Sequence, residues 1–144
     1  MDHTASASFD VTNWNATPYN EPSDGPHLAR VAVSKAFTGD LDGESVGEGL
    51  FCGMNAPADG AGYVVSERVS GRLGGRSGTF VLQHVGVAPH VGVAPPDGPA
   101  RSFGTVVPGS GTGGLAGEVE FGVDHTVTLR YTLPADSADA ASAG

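Results

Sequence analysis

Cysteine is nearly missing from this chain. Cys52 stands alone, so no internal disulfide can form, and its place between Leu50 and Met54 suits a small apolar side chain better than a reactive thiol. Lysine is as scarce, with Lys35 the only one, and Lys and Arg together number 7 against 16 acidic residues, a net charge of -9. Phosphate binding needs a basic surface, so neither nucleic acid nor an anionic membrane is an expected partner. No apolar run is long enough to span a bilayer, and the opening MDHTASASFD has neither a basic nor an apolar signal segment. The expected location is therefore a reduced cytoplasm. His84 and His90 have no Cys, His or carboxylate set at ligand spacing, so no metal is expected.

What is abundant is glycine, 23 residues, and proline adds 10. Both disfavour helix interiors, and no strict glycine period marks a collagen. Val, Thr and Ser recur between turn residues at short spacing, the pattern of many short strands. A length of 144 residues fits one domain with a real core.

The most informative stretch is Tyr63 to His84, two strands around a turn at Leu73-Gly74-Gly75-Arg76. Alternation puts Tyr63, Val65, Glu67 and Val69 on one face, with Val64, Ser66, Arg68, Ser70 and Arg72 on the other. Glu67 then points inward between two valines. Desolvation there raises a carboxyl pKa, and a neighbouring cation would do the reverse.

In chain order, Ala5 to Thr12 reads as a first strand and Asn13 to Pro26 as a long loop. Trp14 and Tyr19 in that loop line a mouth or plug a core end. Leu28 to Thr38 is a strand with Val31, Val33 and Phe37 inward, and Lys35 on the same face marks its end. Ser45 to Asn55 places Val46, Glu48, Leu50, Cys52 and Met54 on one face, making Glu48 a second inward carboxylate. The turn GDLDG between these strands lacks the full ligand spacing of a calcium loop.

HVGVAP occurs twice, at His84 to Pro89 and His90 to Pro95, and its prolines suit a lengthened hairpin loop. Arg101 to Val107 returns as a strand. PGSGTGG is no phosphate loop, since it lacks the Lys-Ser/Thr ending. Leu115 to Val123 and Thr126 to Leu133 form a closing hairpin. The tail from Pro134 has no large apolar residue and reads as disordered. The expectation is an all-β domain over residues 1–133 and a tail over 134–144. Eight antiparallel strands is the count at which a small barrel closes around side chains or one ligand.

GRSGTFVLQH, SERVSG, VVPGSGTGGLAG, FDVTNW and KAFTGDLDGES resemble the bacterial domain of unknown function 3224. The resemblance runs from about Phe9 to Leu133. That family resembles the allene oxide cyclase barrel, which implies an eight-stranded antiparallel barrel with a central cavity. Related barrels include cyclases and isomerases of oily, oxygenated substrates, some in natural-product pathways. The duplicated HVGVAP and a short segment after Leu115-Ala116-Gly117 depart from the pattern at a cavity mouth.

Three functions fit these residues. The favoured one is a cofactor-independent cyclase or isomerase, with Glu67 as acid or base and Glu48 second. Trp14, Tyr19, Leu50, Met54, Tyr63, Val65 and Val69 would shape the cavity for a small apolar molecule. The second is a carrier using the same cavity, and the third a barrel filled by its own side chains. No nucleophile-elbow pattern supports a hydrolase, and a homo-oligomer stays open.

Overall fold

The computed structural model describes residues 2–57, 60–88, 101–122 and 124–134. The predicted tail and the second HVGVAP copy lie outside them. Eight strands run in chain order: β1 (His3–Asn20), β2 (Leu28–Gly39), β3 (Leu41–Cys52), β4 (Ala61–Leu73), β5 (Arg76–Ala88), β6 (Arg101–Val106), β7 (Ala116–Phe121) and β8 (Thr126–Thr132). Each pairs antiparallel with the next, and β8 pairs back onto β1, so one sheet closes on itself. Thr112–Gly114 adds a single 3-10 turn before β7. Among the described residues no helix is long and apolar enough to cross a membrane.

The β4–β5 hairpin turns at Gly74 and Gly75, both at positive φ, as a tight two-residue turn requires. Its neighbours follow the alternation of the sequence, with one exception. In β3 the inward set is Leu41, Gly43, Ser45, Gly47, Gly49 and Phe51, while Val46, Glu48 and Leu50 face outward. This reverses the inner face expected for Ser45 to Asn55. The reason is space: a Cβ on Gly47 would lie 2.7 Å from the Cβ of Glu67, and one on Gly49 would lie 2.4 Å from a Val65 methyl. The neighbouring strand fills the interior there, so only glycine fits, and the larger residues are left outside.

Two further expectations change. Asn13 to Asn20 is not loop but the continuation of β1, paired with β2 beyond a register shift between Val11 and Asn13. Its prolines suggested a loop, yet β8 pairs only with His3–Ser8, so among the described residues this half of β1 has β2 alone paired beside it. Proline is tolerated on such an edge, where a missing donor breaks no ladder. The first HVGVAP copy likewise extends β5, from His84 to Ala88.

The closure is therefore uneven. One half is a complete ring packed by Phe37, Leu41, Val69, Leu73, Phe80, Leu82, Leu115, Leu129 and Tyr131, among others. In the other half β2–β5 continue upward, and among the described residues a seam lies between the end of β7 and the far half of β1. The polar side chains of the interior lie where the packed half meets the open one.

Candidate functional site

Glu67 sits at this boundary, 1% exposed, on the inner face of β4 as its alternation requires. Its Oε2 accepts a hydrogen bond from Lys35 Nζ at 2.9 Å and one from His84 Nε2 at 2.5 Å. Lys35 lies mid-strand in β2, 8% exposed, rather than at a strand end. Its ammonium is held over the rings of Phe9 and Phe121, at 4.8 and 4.6 Å from their centroids. Cation–π contact replaces part of the hydration lost there.

The chain of contacts continues toward the open half. His84 Nδ1 lies 2.9 Å from the Tyr63 hydroxyl, which also hydrogen-bonds Ser102 Oγ. A carboxylate only accepts, so His84 donates through Nε2 to Glu67, and in the tautomer with its proton on Nε2 alone the ring accepts from Tyr63 through Nδ1. Ser102 in turn donates to the phenol oxygen. Ser102, Tyr63, His84, Glu67 and Lys35 thus form one connected line across β6, β4, β5 and β2. Gly104 makes room for it, since a Cβ there would lie 2.6 Å from the Cβ of His84.

Burial pushes the Glu67 carboxyl up, but the His84 hydrogen bond and the charge of Lys35 outweigh it and hold the group down at about 2. The expected rise is corrected: the neighbouring cation exists, and it is the lysine. Tyr63 moves the other way, raised by burial and by the Glu67 charge against the pull of the Ser102 hydrogen bond. It is a phenol, not a phenolate, at neutral pH. Among the described residues, Glu67 Oε1 and Ser45 Oγ are buried without a hydrogen-bond partner. Ser45 is the direct cross-strand partner of Lys35.

Above this line a row of rings leads outward. Tyr63 stacks on Phe51 at 5.1 Å, and Phe51 meets Trp14 edge-on at 5.2 Å. Trp14, 45% exposed, sits at the seam. Of the residues expected to form the site, Glu67, Tyr63, Val65 and Trp14 gather in or above this region. Val69 is packed within the core of the closed half. Tyr19 is exposed near the end of β1 and Met54 in the turn after β3. Leu50 is on the outer wall, as is Glu48, whose carboxylate pairs with Arg30 at 2.5 Å and is lowered mainly by that hydrogen bond. Glu48 is not an interior acid.

Sequence reading missed Lys35, His84, Ser102, Ser45 and Phe51 as members of the site. Lys35 carried a usable signal: a lone lysine on an apolar face opposite a lone glutamate. His84 reads from the sequence as a hairpin residue that packs or hydrogen-bonds locally, and its partners are Tyr63 and Glu67. Among the described residues no group of three His, Cys, Asp or Glu side chains is placed to hold a metal.

The family model for DUF3224, a family of proteins of unknown function, matches residues 5–134. A solved structure of a DUF3224 protein of unknown function from Shewanella oneidensis MR-1 is similar over 91% of this chain and 97% of that one, with 34% identity and a TM-score of 0.67. No curated protein matches the chain.

Proposed function

Because the chain belongs to the DUF3224 family, which has no function to transfer, we propose from the site's own chemistry that it is a cofactor-independent isomerase or cyclase. Its substrate would be a small, apolar, oxygenated molecule held in the open half of an allene oxide cyclase-like barrel, between the Trp14–Phe51–Tyr63 rings and the polar layer. The observation that supports this is the hydrogen-bonded line from the part-buried Tyr63 to the buried Glu67.

The line has the parts of a proton relay. A base oriented by a carboxylate, with a hydroxyl in front of it, is the arrangement that activates hydroxyls in many enzymes. Tyr63 would take a proton from the carbon next to a substrate carbonyl while its own proton passes to His84 Nδ1. Glu67 stabilises the imidazolium, and the electron pair of the broken C–H bond moves onto the carbonyl oxygen as an enolate. Returning the proton to a different carbon moves the double bond. Attack by the enolate carbon on a second carbonyl carbon of the same molecule closes a ring: that C=O π bond breaks, and its electron pair takes the proton back from His84 through Tyr63. Neither outcome needs an external oxidant or reductant. The rings above Tyr63 would exclude water from the enolate.

The test is proton exchange. An apolar cyclic enone incubated with the protein in D2O should gain deuterium next to its carbonyl, read by mass spectrometry. Tyr63→Phe should slow this by about 10²–10⁴-fold, the usual worth of a positioned acid or base. Exchange at the wild-type rate in Tyr63→Phe would remove the relay from the mechanism. The carrier reading draws on a different observation, that the Tyr63 hydroxyl already has two partners. Retention of the enone in native mass spectra without any exchange would favour it.

A further inference from the structure

The outer wall carries a second organised feature. Leu50, Val64, Val85 and Phe103 are direct cross-strand neighbours on β3, β4, β5 and β6, and all face outward. They are between 40% and 52% exposed. Apolar residues scattered singly need no explanation, but four in register form one continuous ridge. Beside it runs a parallel row of Glu48, Ser66, Gln83 and Thr105, also in register. Gln83 lies down against Ser66 through a 3.1 Å hydrogen bond. Between the two rows is an open trough of about 530 Å³ touched by Leu50 and Phe103 alike. The four strands are thus not convex here, and one flat partner can reach them all.

The ends of the ridge carry opposite charge. Leu50 pairs across to Arg30 on β2, and Phe103 pairs across to Glu120 on β7. Arg30 is bridged to Glu48, and Glu120 to Arg130 at 3.7 Å. These four charges cancel, on a chain of net charge -9.

We propose that this face is a self-association surface, with a second copy of the chain as its occupant. The row is self-complementary end to end: a two-fold axis lying in the face and perpendicular to the ridge lays ridge on ridge. The same rotation brings Arg30 of one copy toward Glu120 of the other. Because the sheet closes on itself, the four central strands expose no free edge for strand addition, and association has to use faces. Two chains of strong like charge approach most easily where local charge is balanced.

The test is mass in solution, by light scattering and sedimentation from low to high micromolar concentration. The wild-type chain should run at twice its 14.4 kDa mass at the upper end. Val64→Glu puts a charge in the middle of the ridge at an exposed position. It should return the protein to the single-chain mass, with an unchanged circular dichroism spectrum and melting temperature. Arg30→Glu and Glu120→Arg should each weaken the dimer, and combining them should restore it. A wild-type chain that stays single across the range overturns the proposal, as does a dimer indifferent to Val64→Glu. A dimer weakened by both charge reversals but not restored by their combination overturns the two-fold arrangement. A single-chain protein whose ridge instead binds an apolar dye, with binding lost in Val64→Glu, overturns it in favour of a small ligand.

Discussion

Glu67 and Lys35 show how a charge survives inside a small protein. Neither is tolerable alone, and each is the other's solvent. Glu67→Gln keeps the shape but leaves the ammonium of Lys35 without its counter-charge. It should destabilise the protein by about 3–5 kcal/mol at neutral pH, the usual cost of breaking a buried pair. Adding Lys35→Met should recover most of that loss. Urea unfolding of the wild type and the two variants measures it, and a Glu67→Gln chain as stable as wild type would show that the pair contributes nothing. The pH dependence follows from the direction of the shift. Glu67 is held at about 2 when folded against the ordinary glutamate value of 4.5, so the folded state binds the proton less readily. Its stabilisation is fully present above about 4.5 and fades as pH falls toward 2, a contribution on the order of a few kcal/mol. Unfolding curves across that window should lose stability more steeply in the wild type than in the Glu67→Gln, Lys35→Met double variant.

At the scale of a strand, β3 is ruled by what lies beside it. Its larger apolar residues are outside, because glycine is all that fits against Glu67 and Val65. Gly47→Ala should therefore cost about 1–3 kcal/mol, the range for overpacking. Val46→Thr, on the exposed face of the same strand, should change stability by no more than about 0.5 kcal/mol. Thermal melts of the two variants decide it, and equal effects would mean that β3 is turned the other way. β1 divides in the same manner. Among the described residues His3–Ser8 has strands on both sides, and Asn13–Asn20 pairs with β2 alone.

For the whole molecule, this uneven closure sets where it opens. The packed ring holds the large apolar cluster, and the far half of β1 borders the seam. Hydrogen exchange should find amides of Ala5, Ala7, Leu129 and Tyr131 slowest, opening only with global unfolding, and those of Asn13 to Asn20 fastest within β1. Uniform protection along β1 would contradict the seam. The hydrogen-bonded line from Lys35 through Glu67 and His84 to Tyr63 is anchored in the packed ring and faces the open half.

The strand content, the β4–β5 hairpin, its inward Glu67 and the outward row of Ser66, Arg68, Ser70 and Arg72 were legible in the sequence. A period of two and a turn's demand for glycine are local rules that a chain carries wherever it folds. The family resemblance extended that reading to the strand count. The inner face of β3, the strand reaching to Asn20, and the meeting of Lys35, Tyr63, His84 and Ser102 around Glu67 were not legible. Both faces of β3 alternate equally well, and only the bulk of β4 pressed against it selects glycine for the interior. The line of hydrogen bonds joins four strands whose order and register exist only once the sheet has closed. Whether Glu67 is neutral or charged depends on which side chains that closure brings within 3 Å, through Lys35 at 2.9 Å and His84 at 2.5 Å. Alternation gave its direction, and the closed sheet supplied its partners.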